Sequence, residues 1–261
     1  MTTLSKSDLA DLKRAKNLLE NPGLGAKMTA MLGAPIEKGF AMLPEKWSGK
    51  VHRASEAALM KALDIAVTSL GDKPKFTSQN RLHKFAAAAS GAAGGAFGLV
   101  ALAVELPVST AIMLRSIADI AKSEGENVQF IDTKLACLEV FALGSNRTTS
   151  DDASESGYFA ARAALATAIG EATKYLAQKG IAKSGAPALV RLISQLSSRF
   201  GIVVSEKAAA QSVPIIGALG GALINTIFIG HFQDMARGHF IVRRLEKTYG
   251  VEPVRKAYDH C

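Results

Sequence analysis

The chain has 261 residues, a net charge of +8, and 48% hydrophobic residues against only 6% aromatic ones. That length can bury a sizeable core, and with alanine carrying much of the apolar content the composition favours closely packed helices over strands. Two cysteines far apart, Cys137 and Cys261, with no CxxC spacing, indicate neither a disulfide framework nor a zinc site.

In chain order, Met1 to Lys16 is amphipathic and charged without an apolar h-region. It therefore does not resemble a secretory signal, and the cytoplasm is the expected compartment. Ser5 or Ser7 is placed to cap a helix whose stripe is Leu9, Leu12, Leu18 and Leu19, and Asn21-Pro22-Gly23 stops it. Gly33, Pro35, Gly39 and Pro44 break 24–46 into short helices and turns. A longer helix runs from Ser48 to about Leu70, with Val51, Ala58, Leu59, Ala62, Ile65 and Ala66 inward and Gly71 after it.

Asp72 to Ser78 reads as a polar linker, and residues 85–104 then carry no charge at all. Pro107 is expected to start a new helix, with Ile112, Met113, Ser116, Ile117 and Ile120 at helical spacing up to Gly125. Further helices are expected over 132–143, over about 154–178 with Ser150 or Asp152 as cap, and from Pro187 to about Arg199. Gly201-Ile-Val-Val is the best strand candidate and is short. A second uncharged run, 208–230, leads into a helix ending at Gly250. The expected fold is all-α, a multi-helix bundle around two Gly/Ala-rich apolar hairpin segments. Its expected divisions are N-terminal helices and turns at 1–47, a main helical domain at 48–250 and a tail at 251–261.

Gly91, Gly94, Gly95 and Gly98 give overlapping GxxxG spacings in the first run, and Gly217 with Gly221 repeats the spacing in the second. A glycine inside a helix costs about 1 kcal/mol relative to alanine, so the spacing predicts two backbones in close approach, with the two runs central and touching. Both runs reach the roughly 20 residues a membrane span needs. The first ends in Glu105 and Pro107, and the second is interrupted by Gln211, Ser212, Pro214 and Asn225. A buried hairpin, a shallow membrane contact and a true span all stay open.

Charge is unevenly spread. Residues 121–160 hold seven Asp/Glu against three Lys/Arg, a local balance of −4 that leaves +12 on the remainder. Lys73, Lys75, Arg81 and Lys84 precede the first run; Arg243, Arg244 and Lys247 follow the second. Such clusters hold anionic headgroups at about 1 kcal/mol per charge, and they are the candidate lipid or anion contacts. An anionic membrane surface is the expected partner, a protein partner is also open, and nucleic acid is not expected because no aromatic–basic interleaving or finger spacing is present.

No GxSxG, HExxH, Walker A or dinucleotide GxGxxG pattern occurs, so no catalytic residue, cofactor or metal is expected. The candidate buried polar groups are Glu105, Arg115, Asp119, Asn225, His231, Asp234 and His239. Arg115 is expected to be buried and paired with Glu105 or with Asp119 at i,i+4. His231 and Asp234 could supply two ligands to a metal only with help from another helix. Asp151, Asp152, Glu155, Tyr158 and Arg162 read as a capped helix start.

Three blocks resemble the EcsC family of bacterial proteins: Glu105-Leu-Pro-Val-Ser-Thr-Ala-Ile-Met-Leu-Arg-Ser-Ile-Ala-Asp-Ile-Ala, Tyr158-Phe-Ala-Ala-Arg162-Ala-Ala-Leu, and a closing block. The last runs Val213-Pro-Ile-Ile-Gly-Ala-Leu-Gly-Gly-Ala-Leu-Ile-Asn225, then Ala236-Arg-Gly-His-Phe-Ile-Val-Arg-Arg-Leu-Glu246. The family is named for the third member of an operon that also encodes an ABC transporter. The resemblance implies a helical protein linked to transport, secretion or the membrane, and it brings no catalytic residues. The leading expectation is a non-enzymatic accessory protein at the cytoplasmic membrane face. The alternatives are a helical protein binding an apolar ligand or a partner between its helices, and an unrecognised enzyme using Glu105, Arg115, His231, Asp234 or His239.

Overall fold

A computed structural model describes residues 4–20, 23–33, 36–70, 98–145, 157–179, 185–212 and 217–261. Ten helices account for most of them: α1 (Lys6–Glu20), α2 (Leu24–Leu32), α3 (Ile36–Ala41), α4 (Trp47–Ser69), α5 (Gly98–Ser123), α6 (Ile131–Leu143), α7 (Gly157–Lys179), α8 (Pro187–Gln211), α9 (Gly217–Tyr249) and α10 (Val251–Asp259). No strand occurs among the described residues, in keeping with the all-α expectation, and the short strand candidate at Gly201 lies inside α8. Its β-branched residues Val203 and Val204 are fully buried, so tertiary packing outweighs their local preference.

The chain is wound around α6. All residues from Thr133 to Leu143 are buried, because α4, α5, α7, α8 and α9 each pack against this helix. A helix surrounded in this way needs no polar face. Beside it, Phe141, Phe200, Phe228 and Phe232 meet with ring centroids 5.2–6.3 Å apart. That aromatic knot joins α6, α8 and α9.

Residues on both sides of the 47/48 boundary share one apolar cluster. Leu24, Met28 and Ile36 belong to the same apolar cluster as Leu59, Leu138 and Phe200. Within the C-terminal tail 251–261, Val254 and Tyr258 of α10 are fully buried with Leu12 and Ala15 of α1 and Leu245 of α9. Pro107 does not start a helix. It sits in the interior of α5, where its missing N–H costs a backbone bond; contacts of α5 with α4, α6, α8 and α9 hold the helix through it.

Helix ends follow the expected chemistry at several points. The Asp8 amide donates to Ser5 Oγ at 3.1 Å, which makes Ser5 the cap of α1. Gly125 stops α5 at φ +85, a left-handed conformation that favours glycine. The following Glu126 amide then bonds back to the Ala121 carbonyl at 3.0 Å. This tight reversal turns the Glu126 side chain inward, toward α9.

Close backbone approach occurs at two glycines outside the GxxxG spacings. A Cβ on Gly39 would overlap the Ala209 carbonyl, so α3 lies directly on the α8 backbone. One on Gly238 would lie 2.6 Å from Leu19 Cγ and 3.0 Å from the Ala15 carbonyl, where α1 crosses α9. Of the expected set, Gly91, Gly94 and Gly95 lie outside the described residues. Gly98 opens α5, Gly217 opens α9 and Gly221 follows one turn later. Helices α5 and α9 pack against each other, while residues 85–97 of the first run lie outside the described residues.

Candidate functional site

Two buried polar centres and one surface network gather the charged side chains of the interior. The first is Lys207 on α8, which is fully buried. Its Nζ donates to Glu105 Oε1 of α5 at 2.6 Å and to Asn225 Oδ1 of α9 at 3.1 Å, and lies 4.6 Å from the centroid of the Phe228 ring. Burial pushes its ammonium below the ordinary lysine range, and Glu105 opposes that shift. The expected Arg115 pair is therefore corrected. Glu105 goes to Lys207, Asp119 pairs with Lys122 at 3.4 Å, and Arg115 is half-buried with no ion pair among the described residues. The reason is depth: Asp119 is exposed, whereas Glu105 is drawn to a cation fully withdrawn from water.

The second centre joins α6, α7 and α9. His239 is fully buried, with Nδ1 3.0 Å from the Tyr158 hydroxyl and Nε2 3.7 Å from Glu139 Oε2. Burial pushes the Glu139 carboxyl up to about 7, drives His239 well below its ordinary range, and raises the Tyr158 phenol. Arg162 lies beside it in a bidentate pair with Glu246, at 2.7 and 3.0 Å, and its guanidinium sits 5.4 Å from the Tyr158 ring centroid. His231 and Asp234 do not join this centre. His231 Nε2 donates to the Gly144 carbonyl at 2.9 Å at the end of α6, with burial holding its pKa down to about 4. Asp234 pairs with Lys27 at 3.0 Å and Arg237 at 3.2 Å. Among the described residues no group of three His, Cys, Asp or Glu could hold a metal.

The third arrangement takes up the α9 cations named as candidate lipid contacts. Arg243 binds Asp132 at 2.6 Å and Glu126 at 3.2 Å. Arg244 binds Asp11 at 2.6 Å and Glu124 at 2.9 Å. Lys247 reaches Glu126 at 2.7 Å. Burial opposes ionisation of Glu126, but Lys247, Arg243 and Thr133 outweigh it and hold the carboxyl below its ordinary range. The acidic stretch and the basic cluster thus neutralise each other inside the molecule. Lys73, Lys75, Arg81 and Lys84 lie outside the described residues.

A different cationic face is free of such pairing. Lys38 of α3 and Lys46, Lys50 and Arg53 at the start of α4 are exposed, and among the described residues none has a carboxylate within ion-pair reach. Lys46, Lys50 and Arg53 fall at i, i+4 and i+7, on one side of the helix. Met42 is 52% exposed beside them, and the half-buried Trp47 packs on Phe40 with centroids 5.8 Å apart. A shallow cleft of about 530 Å³ opens between α2, α3 and α8, lined in part by Thr29, Ile36, Phe40 and Glu206. Glu206 accepts the Gly25 amide at 3.0 Å, which ties it to the first turn of α2.

Sequence reasoning passed over Lys207, Glu139 and this α3–α4 face. A usable signal existed for the two buried groups. Lys207 follows Phe200, Val203 and Val204 at i, i+3, i+4 and i+7, and Glu139 follows Leu135 and Leu138 in the same rhythm. A charge in a core-facing slot of a helix must be buried, and therefore partnered. Among described residues no helix is long and apolar enough to cross a membrane. The sequence model of the EcsC protein family matches residues 6–245. No curated protein and no solved structure matches the chain.

Proposed function

The chain belongs to the EcsC family, and from that premise we propose that it is a non-enzymatic accessory protein that docks on the cytoplasmic face of a membrane through anionic lipid. The observation that carries this reading is the set of exposed cations Lys38, Lys46, Lys50 and Arg53, none paired with a carboxylate among the described residues, with Met42 and Trp47 in the same stretch of chain. Cations whose charge is not neutralised internally attract acidic headgroups at about 1 kcal/mol each. A tryptophan and a methionine beside them suit the boundary between headgroup and acyl chain. A link to transport or secretion follows from the family resemblance and is part of the same proposal. The small-ligand alternative draws on the cleft beside α3, whose walls pair Ile36 and Phe40 with the Glu206 carboxylate.

Flotation separates these readings. The parent should rise with vesicles of phosphatidylglycerol and phosphatidylcholine, remain below with phosphatidylcholine alone, and detach as salt shortens the Debye length below its physiological value of about 8 Å. Exchanging Lys46, Lys50 and Arg53 for glutamine should weaken binding about a hundredfold, from three charges at about 1 kcal/mol each. A parent that ignores anionic vesicles at low salt defeats the docking proposal and leaves the cleft as the better lead.

A further inference from the structure

His239 presents its two ring nitrogens to two different helices. Nδ1 faces the Tyr158 hydroxyl on α7 at 3.0 Å. Nε2 faces Glu139 Oε2 on α6 at 3.7 Å and has no hydrogen bond. A neutral imidazole carries one N–H, so which nitrogen bears it decides the direction of both contacts. The surrounding charges are themselves paired. Arg162 of α7 is held by Glu246 of α9; Arg243 of α9 is held by Asp132 of α6 and by Glu126 of the α5–α6 turn, which Lys247 also reaches. From α10, Tyr258 stacks on Tyr158 at 5.9 Å and Arg255 lies over Phe159; Lys16 of α1 lies over the Tyr258 ring. Among the described residues no neighbouring charge is therefore left over to serve as a dedicated counter-ion for Glu139.

We propose that Glu139 and His239 form a buried site for a single exchangeable proton, and that this proton's arrival reverses the hydrogen bond between His239 and Tyr158. Without the proton, Glu139 is a carboxylate that accepts from Nε2–H, and Nδ1 accepts from the Tyr158 hydroxyl. With it, the Glu139 carboxyl donates its O–H to Nε2, the ring hydrogen sits on Nδ1, and Nδ1–H donates to the Tyr158 oxygen. The balance is one proton taken from solvent, with no other group changing charge. Either arrangement closes the 3.7 Å gap by roughly 1 Å to hydrogen-bond length. Placing the proton on the carboxyl, rather than forming an imidazolium, fits the desolvation and the two arginines that disfavour charge on His239. Burial sets the carboxyl's titration at about 7, where cellular changes of pH are felt. Tyr158 stands in the first turn of α7, so the reversal alters how that helix is pinned to α9.

Side-chain nitrogen NMR of the ¹⁵N-labelled full chain tests this directly. As pH rises from about 5.5 to about 8.5, His239 should stay neutral and pass from the Nδ1–H to the Nε2–H form with a midpoint near 7. Glu139→Gln, whose amide donates to Nε2 at every pH, should hold the Nδ1–H form throughout. One unchanging tautomer in the folded parent overturns the proposal, as does a doubly protonated ring or a switch that survives in E139Q. The parent titration decides by itself if the variant fails to fold.

Discussion

Removing the carboxylate of Glu105 strands the Lys207 ammonium in the core, where Asn225 and the Phe228 ring are its remaining partners. Glu105→Ala should therefore cost about 3–5 kcal/mol, as breaking a buried ion pair does, whereas Lys207→Met combined with Glu105→Gln should lie near the parent. Chemical denaturation of both variants checks the contrast, and equal losses would mean the pair is not what holds α5 to α8. Glu139 makes a prediction in pH. Its folded-state pKa of about 7 lies above the ordinary 4.5, so the fold binds this proton more tightly than the unfolded chain. The stability it contributes is full below about 4.5 and is lost as pH rises through 7. Glu139→Gln should thus match the parent in acid and exceed it by about 3 kcal/mol at slightly alkaline pH. His231 tilts the other way: its pKa is held down to about 4, and its contribution is lost as pH falls from 6.5 toward 4. Denaturation midpoints of parent and E139Q across this range would separate the two slopes.

Within single helices, the glycines divide by what surrounds them. Gly39→Ala would push a methyl into the Ala209 carbonyl and should destabilise by more than the 1–3 kcal/mol typical of overpacking, since backbone cannot step aside. Gly170, inside α7, has nothing within 4 Å of its missing Cβ, so Gly170→Ala should stabilise by about 0.5–1 kcal/mol. Thermal melts of the two would show opposite shifts. Close approach at Gly39 and Gly238 was not legible in the sequence. GxxxG spacing shows which glycines share a face of one helix and says nothing of which helix arrives there. Gly39 stands in a six-residue helix too short to display any spacing. Helix boundaries were legible wherever a terminating residue had a local cause, as at Gly125 and Gly250, both in positive φ. Pro107 was misleading because its effect depends on neighbours: proline begins a helix in isolation, yet packing carries α5 through it.

Across the whole molecule the decisive finding is where charge is spent. The excess of acid in 121–160 and the excess of base in α9 were both visible in the sequence. Their mutual neutralisation was not, because Glu124, Glu126 and Asp132 are separated from Arg243 and Arg244 by over a hundred residues. Exchanging Arg243 and Arg244 for glutamine should therefore lower the melting temperature while leaving vesicle flotation unchanged, the reverse of the α4 triple variant. If that pair instead abolishes flotation, α9 and not the α3–α4 face meets the lipid. The same long reach bears on how the protein is made. Helix α1 closes against α9 through Arg244–Asp11, 233 positions apart. At about 5–20 residues per second, a ribosome needs roughly 10–50 seconds to deliver the partner of a helix it has already released. Throughout that interval Leu12 and Ala15, sealed in the finished fold, lack the α9 surface that covers them, and a helix released early is among the last to be housed.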